Sequence, residues 1–192
     1  MSKLLSRGNH KLPKTTAIFN LPAVMTCPRS TPECRKYCYA RKAERMYPQV
    51  LPFRLTNLAL TKSSAFVTDV SKELKNSRTV DTVRIHESGD FYDQKYLDKW
   101  ITIAKTFPKL VFYAYTKSFH LDFSKRPSNF IVIFSDDRNK LPQYHKALDG
   151  VARVIMKNEP VPNGFFLCPG DCKTCNYCYN LNKPKSVAFR IH

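Results

Sequence analysis

Seven cysteines, gathered in two knots, are the residues of this 192-residue chain best suited to chemistry. Cys27, Cys34 and Cys38 are spaced C-x6-C-x3-C, and Cys168, Cys172, Cys175 and Cys178 are spaced C-x3-C-x2-C-x2-C. An odd count prevents complete pairing into disulfides, and a reducing compartment favours metal binding or thiol chemistry. Structural zinc usually takes two close pairs separated by a longer loop. Four thiols within eleven residues are closer to the dense ligand runs of iron–sulfur proteins. Seven also divides as four plus three: a closed [4Fe–4S] cluster takes four thiolates, and a catalytic one three with an iron left open. All seven cysteines are therefore expected metal ligands, for one or two [4Fe–4S] clusters. Zinc, one shared cluster with spare cysteines, and buried or reactive thiols are the alternatives.

A second group of polar residues sits in "HESGDF", where His86, Glu87 and Asp90 are candidate acid–base groups and Ser88 and Gly89 candidate cofactor contacts. Lys117 in "YTKS" joins the acid–base candidates, and Ser135 and Asp136 in "SDDR" join the cofactor contacts. Each has a plainer use. His86 could be a satisfied core histidine, and Glu87 and Asp90 could cap the following helix, whose first turn favours acids. Asp136 and Asp137 could bind a divalent metal or make a turn. The tyrosines of "VFYAY" and "CNYCYN" could stack nucleobases, line a core or shield a cluster.

These groups need elements that bring them together. Apolar and β-branched runs predict strands at 15–22, 79–86, 110–116, 129–135, 152–157 and 186–191. Between the first two, a helical stretch is expected to break at Pro48 and Pro52. Tyr92, Tyr96, Trp100, Ile103 and Phe107 mark one helix face ended by Pro108, and 142–150 reads as a short helix stopped by Gly150. The 117–128 link has no helical pattern. Alternating β and α predicts an α/β fold: a partial (β/α)6 barrel-like parallel sheet with helices outside. Functional groups of such folds collect at the carboxyl ends of strands, so both cysteine-rich loops are expected there, at one mouth. The length suits a single iron–sulfur domain over 1–192, with a short flexible basic N-terminus of about 14 residues.

Lys and Arg number 32 against 15 Asp and Glu, a formal net charge of +17. An excess this large draws in phosphate backbones, so nucleic acid bound without sequence specificity is the expected partner, a solvated basic surface being the alternative. The basic residues are scattered, which suits a charged face or groove better than a tail. No apolar run approaches the roughly 18 residues of a membrane helix, and the first residues lack a secretory pattern. No membrane partner is expected, and the host-cell cytoplasm is the expected location.

"CRKYCYA", after a first strand and opening a helix, resembles the cluster loop of radical S-adenosylmethionine enzymes. That superfamily binds a [4Fe–4S] cluster through three cysteines on a partial (β/α)6 barrel, with a usual spacing of C-x3-C-x2-C. The resemblance implies S-adenosylmethionine as cofactor, with Tyr37 near its adenine and the "ESGDF" turn near its methionine amino group. Over most of the chain, "LPAVMTCP", "CYA", "RIHESGDFYDQKYLDKW", "FYAYTKS" and the last cysteine run together resemble the gene product 88-like proteins of phages and plasmids. That likeness implies a mobile-element origin and names no substrate. Three functions follow as expectations. The first is a radical-S-adenosylmethionine-like iron–sulfur protein acting on nucleic acid. The second is a non-enzymatic nucleic-acid-binding protein with a structural iron–sulfur or zinc site. The third, ranked last, is a metal-dependent nuclease using His86, Glu87, Asp90, Asp136 and Asp137.

Overall fold

A computed structural model describes residues 3–136, 149–182 and 186–191. The strands are β1 (Ser6–Arg7), β2 (Thr16–Phe19), β3 (Thr82–Ile85), β4 (Val111–Thr116), β5 (Phe130–Asp136), β6 (Gly150–Ile155), β7 (Phe166–Leu167) and β8 (Val187–Arg190). The helices are α1 (Pro32–Lys36), α2 (Tyr39–Met46), α3 (Val50–Lys62), α4 (Phe66–Lys75), α5 (Gln94–Thr106) and α6 (Cys172–Cys175). The strands form one sheet in the order β1-β2-β3-β4-β5-β6-β8-β7. The six strands expected from the sequence are β2, β3, β4, β5, β6 and β8, all parallel neighbours. β1 pairs antiparallel with β2, and β7 runs parallel to β8. Both are edges of an open series, so the fold is α/β with a largely parallel sheet and flanking helices.

Strand alternation sorts side chains onto two faces. Val83, Ile85, Phe112, Ala114, Phe130 and Val132 pack with Phe66, Val70 and Leu74 of α4 and Tyr96, Leu97 and Trp100 of α5 in the main core. Phe19, Phe66 and Trp100 meet edge to face, with ring centroids 5.3 to 5.5 Å apart. On the other face Tyr113, Ile131, Ile133, Ala152 and Val187 form a smaller cluster, covered by Cys168, Tyr177, Cys178 and Tyr179.

Local chemistry explains several departures from the expected pattern. Pro52 does not break a helix but lies in the first turn of α3, where backbone N–H groups have no intrahelical acceptor to lose. Gly150 opens β6 instead of ending a helix, and residues 142–148 of that predicted helix lie outside the described residues. The N-terminal segment has anchoring contacts within its described length. Leu4, Leu5 and Leu12 are buried, and the Leu4 and Leu5 amides donate to the Glu73 carboxylate at 2.8 and 3.2 Å.

Candidate metal centre

The first cysteine group begins with Cys27, eight residues after the end of β2. Val24 adopts φ 66, unusual for a β-branched residue, and its carbonyl accepts the Cys27 amide at 3.1 Å. This turn swings the chain so that Cys27 lies half-buried near Cys34 and Cys38. Cys34 sits in α1, whose N-cap Thr31 hydroxyl accepts the Cys34 amide at 3.1 Å and whose first residue is Pro32. Cys38 is the N-cap of α2. Burial, with the Asp90 carboxylate next and then Cys34 and Cys38, pushes the Cys27 thiol up to about 12. Three residues from three local settings thus share one electrostatic neighbourhood.

The "HESGDF" turn forms the floor beside them. Asn20 Oδ1 accepts the Glu87 and Ser88 amides at 2.7 and 3.0 Å, and Ser88 Oγ donates to the Leu21 carbonyl at 2.8 Å. Gly89 has φ 87, and a Cβ there would stand 2.6 Å from both Leu21 Cβ and Thr26 Oγ1. Only glycine fits, because both the backbone conformation and the contact exclude a side chain. Asp90 is buried. Its Oδ1 accepts from Phe91 N at 2.7 Å and Thr116 Oγ1 at 2.6 Å, and its Oδ2 from Lys117 N at 2.8 Å. Burial still outweighs these bonds and raises its pKa to about 6.

His86 belongs to a different environment. It is buried against the α5 side, at φ 69, with Nε2 2.8 Å from the Tyr96 hydroxyl. Desolvation lowers its pKa to about 3, so it is neutral at physiological pH. Lys117 reaches across to β5, its Nζ donating to the Ser135 carbonyl at 2.9 Å. Asp136 is buried and bound by Arg153 Nη2 at 2.6 Å and Nε at 2.9 Å. Asp137 lies outside the described residues. Tyr37 is half-exposed at the end of α1, with Lys36 Nζ 5.4 Å from its ring centroid. The structure therefore gathers Cys27, Cys34, Cys38, Ser88, Gly89 and Asp90, while His86 and Asp136 turn to other partners.

The second cysteine group has backbone partners of its own. Cys172 N donates to the Lys11 carbonyl at 3.0 Å, in the turn that precedes β2, and the Tyr179 hydroxyl donates to the Cys172 carbonyl at 2.7 Å. The loop thus lies across the small-cluster face, from the turn before β2 to Tyr115 near the end of β4. α6 carries Cys172 and Cys175 one turn apart, with Asp171 Oδ1 capping it through Lys173 N at 2.9 Å. Burial pushes the Cys178 thiol up to about 11, although the Tyr115 hydroxyl hydrogen-bonds to it.

Sequence reasoning missed Arg84. Its position in β3 looks like an ordinary alternating residue, yet its side chain is largely buried on the small-cluster face. The guanidinium carbon lies 5.8 and 5.5 Å from the ring centroids of Tyr113 and Tyr115, and Nη1 is 3.8 Å from Glu87 Oε1. A charged residue between Val83 and Ile85 of a short apolar strand was the available signal. Glu87 also accepts Asn9 Nδ2 at 2.9 Å, and its carbonyl accepts the Tyr39 hydroxyl at 2.5 Å.

All seven cysteines are thiols rather than disulfides. Among the described residues no three His, Cys, Asp or Glu side chains already stand in metal-binding geometry. The donor chemistry still fits a thiophilic metal, since soft sulfur ligands from two compact segments are what iron–sulfur and zinc centres use. No helix of the described residues is long and apolar enough to cross a membrane.

Known proteins supply the lineage. The chain is 28% identical over 130 residues to the Gene 88 protein of Mycobacterium phage L5, covering 60% of this chain and 54% of that protein. It is 29% identical over 102 residues to the Gene 88 protein of Mycobacterium phage D29, covering 48% of this chain and 42% of that protein. The chain thus spans about half the length of these phage relatives. No solved structure matches it. The profile of the Gene product 88 family matches residues 3–174, and the chain belongs to that family.

Proposed function

We propose that this protein is an iron–sulfur protein that works on or beside nucleic acid in the host cytoplasm, with radical-S-adenosylmethionine-type chemistry as its finer form. The observation that carries this reading is the gathering of Cys27, Cys34 and Cys38 beside the Ser88–Asp90 turn, beyond the carboxyl end of β2. Six parallel strands in chain order, able to curl into a partial barrel, agree with it. When bound by three thiolates, a [4Fe–4S] cluster supplies an open iron and the electron for reductive cleavage of S-adenosylmethionine. The chain's own part is to hold and orient. Cys27, Cys34 and Cys38 are the ligands, and Ser88 and Gly89 bring backbone close to them. The exposed ring of Tyr37 is available to a flat cofactor group.

Anaerobic purification with iron and sulfide analysis tests the reading. We expect a brown protein with broad absorption near roughly 400 nm. With reductant and S-adenosylmethionine it releases 5′-deoxyadenosine, and Cys34→Ala or Cys38→Ala abolishes the release. Colourless protein with stoichiometric zinc and no sulfide overturns the iron–sulfur reading.

One observation favours a second reading, a non-enzymatic nucleic-acid binder with a structural metal site. Tyr37, Met46 and Tyr47 are 50 to 57% exposed, on the same segment as Arg35, Lys36, Arg41, Lys42 and Arg45. Aromatic rings interleaved with cations suit a single strand, whose bases stack while its phosphates pair.

A further inference from the structure

The loop that carries the last four cysteines joins the two edges of the sheet. It follows β7, one edge strand, and through Cys172 N it bonds Lys11, in the turn between β2 and the other edge strand, β1. Beneath it lie two buried donors, Arg84 Nε and Tyr113 Oη, which have no hydrogen-bond partner among the described residues. Leaving such a group unsatisfied is costly, more so when it is charged. Tyr113 packs in one cluster with Cys168, Cys178 and Tyr115, and the Arg84 guanidinium lies 5.8 and 5.5 Å from the Tyr113 and Tyr115 rings. Neutral thiols are weak acceptors, whereas metal-bound thiolates are anionic ones.

We propose that Cys168, Cys172, Cys175 and Cys178 form an anionic tetrathiolate metal site that fastens one edge of the sheet to the other, with Arg84 as its buried counter-charge and the Tyr113 hydroxyl as a donor to its sulfur. The inference rests on the reading above that the cysteines bind metal, and it assigns the four and the three to different work. A divalent ion with four thiolates carries two negative charges, which a cation held against Tyr113 and Tyr115 partly neutralises. At the first group the charged neighbour of Cys27 is the carboxylate Asp90. Arg84 and Tyr113 are positioning residues: they act on the metal through the sulfur atoms.

The test uses the full chain with Cys27→Ser, Cys34→Ser and Cys38→Ser, which removes the first group, titrated with cobalt(II). We expect one cobalt per chain with thiolate charge-transfer and tetrahedral visible bands, displaced by zinc, and a higher Tm when loaded. Arg84→Met should weaken cobalt binding by about tenfold or more, the range seen when a metal ligand loses its supporting partner. Arg84→Lys should recover part of that loss, and the charge-transfer band should shift in Arg84→Met. Tyr113→Phe keeps the shape of the core and should weaken binding several-fold, which keeps the test open if Arg84→Met does not fold. Unchanged affinity in Tyr113→Phe and in folded Arg84→Met overturns the assigned roles. Cobalt bound by the unaltered chain but not by the triple variant overturns the C-terminal site and leaves metal at Cys27, Cys34 and Cys38. Failure of both chains to bind iron, zinc or cobalt overturns the metal reading together with this one.

Discussion

The Asp90 carboxylate accepts the Lys117 amide at 2.8 Å, fastening the turn after β3 to the first residue beyond β4. With Thr116 Oγ1 on its other oxygen, this acid is a bracket between adjacent strand ends. The same bracket sets the wall against which Cys27 lies.

Asp90→Asn turns one acceptor oxygen into an amide N–H that faces the donating backbone. We expect a loss of about 1–3 kcal/mol in urea unfolding near neutral pH. The folded pKa of about 6 lies above the ordinary 3.8, so the native state holds this proton more tightly than the unfolded chain. The wild-type advantage over the variant therefore grows as pH falls from about 6 to about 4 and is constant above that window. Unfolding curves of the pair at several pH values check the sign.

His86 behaves in the opposite sense. Its folded pKa of about 3 lies below the ordinary 6.5, so the unfolded chain protonates first and stability is lost as pH falls from about 6.5 towards 3. His86→Gln removes up to about 1.4 kcal/mol per pH unit of that slope. Imidazole NMR signals of His86 should stay in the neutral form from pH 5 to 8. A histidine titrating normally in that range contradicts the core assignment and restores it as an acid–base candidate.

Gly89→Ala should be among the most damaging small substitutions, by about 2–4 kcal/mol, because positive φ and two contacts at 2.6 Å act together. The neighbouring Ser88→Ala removes one hydrogen bond and should cost about 1 kcal/mol. Thermal unfolding of both, side by side, separates backbone constraint from lost bonding.

Arg41→Glu with Arg45→Glu should reduce both the affinity for single-stranded nucleic acid and the steepness of its salt dependence, since fewer counterions are released. Metal content should be unchanged, because both residues lie on α2 beyond Cys38. Binding that is absent or insensitive to salt would assign the net charge of +17 to another acidic partner or to solubility.

Much of the frame was legible in the chain. Six strands fall where apolar runs predict them, because strands buried on both faces must be continuously apolar, and α5 follows the spacing of Tyr96, Trp100 and Ile103. The cysteine spacings marked two candidate centres without any structure. What each centre faces was decided only in three dimensions. His86 and Glu87 are neighbours in sequence, yet one packs against Tyr96 and the other meets Asn9 and Arg84. Gly89 reads as a turn residue, but the need for it comes from Leu21 and Thr26, distant in sequence. Arg84 carries no motif at all. Its importance arises because strand alternation turns it to the face that the last cysteine loop covers, and burial of a charge depends on what closes over it, which is set by residues more than eighty positions away.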